Sequence, residues 1–442
     1  MTSWRRRTIH RAAGVLLLLS TGPLLADHTE QPLPSPLTLG YALSLADRPH
    51  PDERLARARL SEARARLAEV EADDELRLDF TAALKAIDPS PLADDQSHND
   101  SGAKLRLSKR LYDFGRTARA REAAESARLG QQWRLLELRQ QRRLDIMARF
   151  FDVLLADLRY ARDNEAMSIA FVRLDRGRNR NQLGQLSDIE LLELESRYQQ
   201  ARSQRFASQN QQRISRSLLA ISLNRPGDLP GELEPPVLAA LPPLEDVQTL
   251  TRQVLQSNPG LRALRAEVEA ARQRLRAAEA QGRPEIRGEL EAAAQQRELA
   301  GRNPLSASLV FEMPLFTGSR VSAAKAVQRA RLQAQRARLE SLELELRQQV
   351  LEGQLELQRL DVRRQELAVT GDFRDLFLER SRSLYDLEVE SDLGDAMLRI
   401  ADLSLQQAET RFQRYLLHAR LEALAGRLIG SEPAAREQYD EE

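Results

Sequence analysis

The residues of this chain that could do chemistry are charged side chains at two breaks between long helical segments. Around the first break, residues 176–187, four arginines stand against a single acid, Asp175; they are Arg173, Arg176, Arg178 and Arg180. Around the second break, residues 385–392, the charged side chains are acidic: Asp386, Glu388, Glu390, Asp392 and Asp395. If the two tips alternate in an assembly, ion pairs between them can hold it closed. The alternative is that these are solvated helix ends whose pairs contribute about 0–1 kcal/mol each.

The composition excludes most catalytic and metal chemistry. There is no cysteine, and the five histidines do not form close pairs, so thiolate chemistry is excluded and a histidine metal site has little support. We find no phosphate-binding glycine loop and no nucleophile with an identifiable base. Basic and acidic residues number 66 each, so no net charge favours nucleic acid. We therefore expect no enzyme, no cofactor, no metal site and no nucleic-acid partner.

The N-terminus has the layout of a secretory signal peptide over residues 1–26. A basic segment with Arg5, Arg6 and Arg7 precedes an apolar stretch, Ala12–Leu25, of 14 residues. That stretch is short for a transmembrane helix, which needs about 20 residues. Cleavage near Ala26 is expected, with an uncleaved anchor as the alternative. An exported chain without a later spanning helix is either soluble or crosses a membrane by strands.

The chain contains an internal repeat. Ala63–Ala72 corresponds to Ala271–Ala280, and in both halves the helical pattern then gives way to alternating apolar and polar residues. This alternation predicts strands at about 75–85 and 103–112 in the first repeat, and at about 284–294 and 305–315 in the second. Gly115 and Gly318 lie where each returning strand turns into a helix.

Long helical hairpins follow both strand pairs. Apolar residues spaced by threes and fours over 65 to 70 residues without proline predict coiled-coil packing. The predicted organisation, by residue number, is a first repeat (27–224) with its hairpin at 113–224, a Pro/Gly-rich linker (225–243), a second repeat (244–430) with a helix at 244–281 and a hairpin at 317–429, and a C-terminal tail (431–442). The fold class is mainly α with a small β part.

Four strands cannot close a membrane barrel, and an open strand edge is not tolerated in lipid. The polar strand faces carry charged residues such as Arg77, Asp79 and Glu289, which suit a water-filled lumen. Pairing with further copies is therefore expected, and three copies would give twelve strands. The alternative is a small soluble sheet folded onto the helices.

The sequence resembles the TolC-like outer membrane efflux proteins over nearly all of its mature length. Met313–Arg320 is similar to the family's Pro-Leu-Phe-x-Gly-Gly-Arg turn, with Pro314 and Gly318 in place and Ser319 instead of the second glycine. Leu37–Ala46 resembles the family's opening helix, and Asn258–Ala271 resembles its second-half counterpart. The resemblance implies a homotrimer with a twelve-stranded β-barrel in the cell outer membrane and an α-helical barrel in the periplasm. It also implies a periplasmic adaptor and an inner-membrane pump as partners in efflux or type I secretion.

The resemblance also implies a role for two acids. Asp392-Leu-Gly-Asp395-Ala resembles a family segment whose acidic pair forms rings at the channel entrance, so Asp392 and Asp395 would attract cations. The spacing fits equally well an N-cap at Asp392 with Asp395 three residues on. Gly394 replaces a leucine, which suggests a looser helix start. In the first repeat, either Asp188 or Glu190 could be the equivalent residue.

A periplasmic coiled-coil scaffold or adaptor is the main alternative function. An adaptor would have one long hairpin flanked by small β-domains, whereas this chain has two hairpins and a duplicated strand pair.

Overall fold

Long helices make up most of the chain. The computed structural model describes residues 32–92, 95–238, 241–242, 245–297, 302–387 and 392–428. The expected signal peptide, 1–26, and the tail, 431–442, lie outside these residues.

The elements follow the predicted order of two repeats, with a short 3₁₀ turn at Leu45–Asp47 after the first helix. In chain order they are α1 (Leu39–Ser44), α2 (Pro51–Ala72), β1 (Arg77–Ala83), β2 (Gly102–Tyr112), α3 (Arg116–Gln182), α4 (Asp188–Ser222), α5 (Val247–Ser257), α6 (Pro259–Ala280), β3 (Glu285–Gln295), β4 (Leu305–Glu312), α7 (Arg320–Asp386) and α8 (Leu393–Leu424).

The internal repeat is visible in the lengths of the helices. Helices α3 and α7 have 67 residues each, and α2 and α6 have 22 each. At 1.5 Å per residue, each of the two longest helices extends on the order of 100 Å. Within the described ranges, no helix combines the length and the apolar character needed to cross a membrane.

The single helix expected at 244–281 is two helices, α5 and α6, separated at Asn258. The Asn258 side chain accepts a hydrogen bond from the backbone N–H of Leu261 at 3.0 Å, and Pro259 is the first residue of α6. Proline removes the N–H that would continue the preceding helix and is well tolerated at a helix start. The Asn258 amide also donates to the Leu424 carbonyl at 3.0 Å, which fixes the corner against the end of α8.

The four strands form one antiparallel sheet in the order β1-β2-β3-β4, so each repeat contributes one hairpin. Rows across the sheet alternate in character: Leu78, Leu107, Leu290 and Ala307 form one row, and Asp79, Arg106, Glu291 and Ser306 form the next. The Arg106 guanidinium donates two hydrogen bonds to Glu291, at 3.1 and 2.9 Å. The sheet therefore has an apolar face and a charged face. Strands β1 and β4 are shorter than the spans expected from the sequence.

The helices form a single curved layer in two tiers that share α3 and α7. Next to the sheet, the neighbours in order are α2, α3, α6 and α7; away from it they are α4, α3, α8 and α7. Helix α7 is at one end of both tiers, and α2 and α4 are at the other end. Among the described helices, the first and last helix of each tier therefore have a neighbour from their own tier on one side only.

A collar, defined here as residues 37–47 and 225–238, packs around the middle of the long helices. Its two segments join through backbone hydrogen bonds from Leu37 to Glu232 at 2.8 Å and from Glu234 to Leu37 at 2.9 Å. Beneath it, Phe151 of α3 stacks on Phe412 of α8 with ring centroids 4.6 Å apart. The segment that the sequence suggested to be a simple linker is thus, over residues 225–238, part of the main apolar core.

We expect Phe412→Ala to destabilise the protein by about 3–5 kcal/mol, because it removes a buried ring that joins the two repeats. Phe412→Leu keeps much of the apolar volume and should lose clearly less. Thermal and denaturant unfolding of the detergent-solubilised protein measures both. Leu92→Ala, at an exposed loop position, is the control. Equal stability of the Phe412→Ala and Leu92→Ala proteins would contradict the assignment of this core.

Candidate functional site at the helical tips

At the first tip, the turn between α3 and α4 is stabilised by hydrogen bonds within the tip itself. Helix α3 ends in a turn in which Gly184 has φ 72°, a left-handed conformation that glycine adopts without strain. The Asn181 side-chain amide donates to the Leu186 carbonyl at 2.9 Å and to the Asp188 carboxylate at 3.0 Å. Ser187 then caps α4 in a capping box with Glu190. Both candidate acids of this tip are therefore held by local partners.

The capping positions align the two tips. Ser187 is the N-cap of α4 and Asp392 is the N-cap of α8, so Glu190 corresponds to Asp395. The backbone N–H and the hydroxyl of Ser187 donate to the Glu190 carboxylate and lower its pKa below the ordinary value. Glu190 therefore takes part in the N-terminal cap of its own helix, whereas the Asp395 carboxylate is available to residues of other helices.

At the second tip the expected side-chain cap is not formed. Asp392 occupies the N-cap position of α8, but its side chain accepts no capping hydrogen bond and is exposed to solvent. Asp395, in the first turn, instead accepts a hydrogen bond from Nη2 of Arg173 at 2.6 Å. This ion pair joins the two hairpins of one protomer and connects two residues that the sequence placed in different groups.

Gly394 brings α8 close to α3. A Cβ atom built on Gly394 would lie 3.1 Å from a methyl carbon of Ile169, which is tighter than ordinary van der Waals contact. The glycine thus allows a close approach of two helices at this point, where the sequence suggested a looser helix start. That approach places Asp395 beside Arg173.

Ion pairs continue along the α3–α8 boundary above the tip. Arg162 lies 3.4 Å from Asp402, and Arg159 lies 2.5 Å from Glu409. All the cations of this series are on α3 and all the carboxylates are on α8. Because the helices run antiparallel, the order along α3 is the reverse of the order along α8.

A network at Asp402 and Asp163 links all four helices of the lower tier. Asp402 accepts from Gln406 at 2.7 Å and lies 3.9 Å from Arg374 of α7. Arg162 donates to the buried Asp163 at 2.7 Å. Gln204 of α4 donates to the other Asp163 oxygen at 3.4 Å.

The two carboxylates beside Arg162 favour the charged form of its guanidinium. Burial alone would lower the pKa of Arg162, but its hydrogen bonds and charge contacts with Asp163 and Asp402 raise it overall. The guanidinium is therefore a fixed cation between two carboxylates. A shift of either hairpin would separate it from at least one of them.

Among the described residues, the remaining charged residues of the predicted latch do not pair with one another. Arg178 lies 3.8 Å from Glu195 of its own hairpin. Within the described residues, Arg176, Arg180 and Asp386 form no ion pair with another side chain. Glu388 and Glu390 lie outside the described residues.

The two strand-to-helix turns differ in the side-chain contacts that stabilise them. Gly115 and Gly318 both have positive φ, 89° and 58°. In the first turn, the Asp113 carboxylate accepts from the N–H groups of Gly115 and Thr117, at 3.1 and 2.7 Å. In the second turn, Leu315 and Phe316, which follow Pro314, are each about nine-tenths exposed. The second turn thus presents a bare apolar surface in the isolated protomer.

Sequence reasoning missed Arg159, Arg162, Asp402 and Glu409. The available signal was a basic series on α3 matched by an acidic series in reverse order on α8. Their partnership depends on α3 and α8 being neighbours, which periodicity within one helix does not reveal. Within the described residues, no cluster of His, Cys, Asp and Glu could hold a metal ion.

Comparison with known proteins identifies the second repeat. Residues 250–427 match the family model described as "Outer membrane efflux protein". No curated protein matches the sequence significantly.

Solved structures match nearly the whole chain. The outer membrane channel CmeC of Campylobacter jejuni has a TM-score of 0.75 at 13% identity, covering 88% of this chain and 86% of its own. The outer membrane protein VceC of Vibrio cholerae has a TM-score of 0.71 at 17% identity, covering 89% and 97%. The MtrE outer membrane channel of Neisseria gonorrhoeae, in its open state, has a TM-score of 0.64 at 20% identity, covering 88% and 89%.

These comparisons confirm the family resemblance and the fold class predicted from the sequence. The expected location in the outer membrane agrees with the family and with the descriptions of the neighbours. The family and the neighbours are efflux proteins and channels, and none is described as an enzyme. Residues 250–427 therefore match the outer membrane efflux protein family, and the described residues as a whole share the fold of outer membrane channels.

Proposed function

We propose that the chain is one protomer of a homotrimeric outer-membrane channel that passively conducts substrates from a periplasmic adaptor and inner-membrane pump to the exterior. The open sheet is the observation that carries this proposal. Strands β1 and β4 are both edge strands, and large apolar side chains such as Phe80 and Leu309 are about 71% exposed on one face. Lipid would cover that face, and neighbouring copies would pair with the two edges.

The helical layer supports the same assembly. Helix α7 carries exposed apolar residues at coiled-coil spacing along its free side, and we call this set the α7 seam: Leu344, Leu351, Leu355, Val362, Val369, Phe373 and Leu376. Helix α4, at the other end of the lower tier, has exposed apolar residues at Ile189, Leu192, Phe206, Ile214 and Ile221. The α7 seam of one copy packing on α4 of the next would cover both surfaces. Repeated around a three-fold axis, this contact closes the layer into a tube.

The tips then form the periplasmic end of the tube. Asp392 and Asp395 of three copies would supply six carboxylates at the entrance, with the Asp395 charges compensated by Arg173. Arg176 and Arg180 form no close ion pair with a described residue, although the charge of Arg180 acts on Glu190, so they are suited to pair with Asp386, Glu388 or Glu390 of a neighbouring copy. Efflux and type I secretion both fit such a duct.

Planar-bilayer recording tests the proposed function. The purified protein should form long-lived, water-filled conductances. A protein that is released as a soluble monomer and gives no conductance would support the alternative of a periplasmic scaffold or adaptor.

The α7 seam predicts an effect on assembly. Val369→Asp places a charge in the contact between copies, which should cost several kcal/mol and reduce the trimer to a minor species. Gln349→Asp, on another face of α7, adds the same charge and should leave the trimer intact. Gel migration with and without heating measures the trimer fraction. Equal trimer content in the two variants would remove α7 from the interface.

The Arg173–Asp395 pair predicts an effect on opening. Arg173→Asp should raise mean conductance by up to about fivefold per pair, because it breaks a link between the hairpins worth about 0–1 kcal/mol per protomer. The exchanged double variant, Arg173→Asp with Asp395→Arg, should restore the closed state. Arg382→Asp, at an exposed position near the tip end of α7 and outside the predicted latch, is the control for the charge change alone. An equal effect of Arg173→Asp and Arg382→Asp would show that the general charge of the tip matters and this pair does not.

The entrance acids predict an effect on ion selectivity. Asp392→Asn should reduce cation preference more than Asp395→Asn, because Asp392 is exposed and forms no ion pair with a described residue, whereas the charge of Asp395 is compensated by Arg173. Reversal potentials in a potassium chloride gradient measure the preference. Unaltered potentials in Asp392→Asn would exclude the acidic ring as a selectivity element.

A further inference from the structure

A basic groove lies between the four helices of the tier next to the sheet. The cavity has a volume of about 890 Å³ and is lined by residues of α2, α3, α6 and α7. On α3 it is lined by Ala120, Ala127 and Arg134, which are spaced by seven and so share one face of the helix.

The groove has a surplus of arginine. Its charged lining residues are five arginines and three glutamates: Arg59, Arg66, Arg134, Arg274, Arg338, Glu62, Glu69 and Glu267. Arg66 pairs with Glu62 at 2.5 Å, and Arg134 pairs with Glu267. Within the described residues, Arg59, Arg274 and Arg338 form no ion pair or side-chain hydrogen bond. Three guanidinium groups, from three different helices, are thus available in one cavity.

Arg274 is in an unfavourable environment for a cation. Partial burial lowers its pKa, and the neighbouring Arg331 lowers it further, with Glu267 acting in the opposite direction. Its side chain still faces the open groove. A bound anion would relieve the repulsion between these arginines.

The floor of the groove is made of alanine, which leaves space between the long side chains at its rim. The alanines that line it are Ala63, Ala120, Ala123, Ala124, Ala127, Ala270, Ala277 and Ala278. The resulting volume is within the range of small-molecule sites, about 300–1,000 Å³. The groove is therefore large enough for a small ligand that carries several negative groups.

We propose that this groove is a binding site for polyvalent oxyanions, and that it accepts the phosphate or carboxylate groups of anionic cargo. Guanidinium groups bind such groups through paired hydrogen bonds, and a groove that combines Arg59, Arg274 and Arg338 favours ligands with more than one anionic group. The role in cargo passage rests on the proposed channel function, whereas the binding itself does not. In a trimer the site would occur three times in the tier next to the sheet, whereas the acids of the tips are at the other end of the long helices.

Binding of sodium tripolyphosphate to the detergent-solubilised full-length protein tests the site by isothermal titration calorimetry. The variant Arg274→Gln/Arg338→Gln should bind about tenfold or more weakly, because charge-assisted hydrogen bonds are lost from two helices. The control, Arg276→Gln/Arg336→Gln, removes the same charge from the same two helices at positions that do not line the groove. It should bind as the unmodified protein does. Affinity should also fall as salt is raised.

Equal loss of binding in both double variants, or no binding of tripolyphosphate by the unmodified protein, would overturn the site. Planar-bilayer recording of the same preparations separates this proposal from the proposed function. Binding without conductance would support the anion site and contradict the channel. Conductance without binding would leave the channel and remove the site.

Discussion

Unpaired backbone groups on β1 and β4 are the constraint on which the account of this protein depends. A sheet of four strands with one apolar face has two open edges, and in a membrane those N–H and C=O groups have no water to bind. In the proposed channel, the additional strands come from other copies, since the described residues contribute one hairpin from each repeat. The same repeat places α7 at one end of the helical layer and α4 at the other. In the proposed assembly, a single rotation between copies would therefore pair the strand edges and cover the free sides of the helices at the same time.

Below the collar, polar pairs hold the two hairpins together where apolar packing is thin. The main apolar cluster lies around Phe150, Phe151 and Phe412, and towards the tip the α3–α8 boundary is bridged by ion pairs. Partly exposed pairs of this kind are individually weak, about 0–1 kcal/mol each. A boundary that depends on several weak pairs can separate in steps while the collar stays intact. This distribution of forces suits a tube that is permanent at its middle and adjustable at its tip.

Much of the fold follows from patterns in the sequence, because these patterns are local. The two-residue alternation predicted the four strands, and apolar spacing by threes and fours predicted α3, α4, α7 and α8. The break at Asn258 was signalled by the Asn-Pro dipeptide but was overridden by the continuous helical pattern around it. The contribution of residues 225–238 to the core was missed, because a Pro/Gly-rich composition indicates irregular backbone and not how deeply that backbone is buried.

The candidate site could be predicted only in part. The spacing of Asp392 and Asp395 identified two acids at one helix start, yet the partner of Asp395 is set by the neighbour of α8, which no local pattern encodes. The close approach at Gly394 likewise depends on Ile169, more than two hundred residues away in the chain. Residues whose role is local, such as Ser187 and Glu190, can be inferred from sequence, whereas ion pairs between hairpins require the packing order of the helices.

The molar mass of the protein extracted by detergent from the outer-membrane fraction tests the central claim most directly. Light scattering with correction for bound detergent gives the protein mass alone. The account predicts a mass three times that of the processed chain, with the protein absent from the soluble periplasmic fraction. A monomer found in the periplasmic fraction would mean that the edges of the sheet are satisfied without other copies, and it would contradict the account.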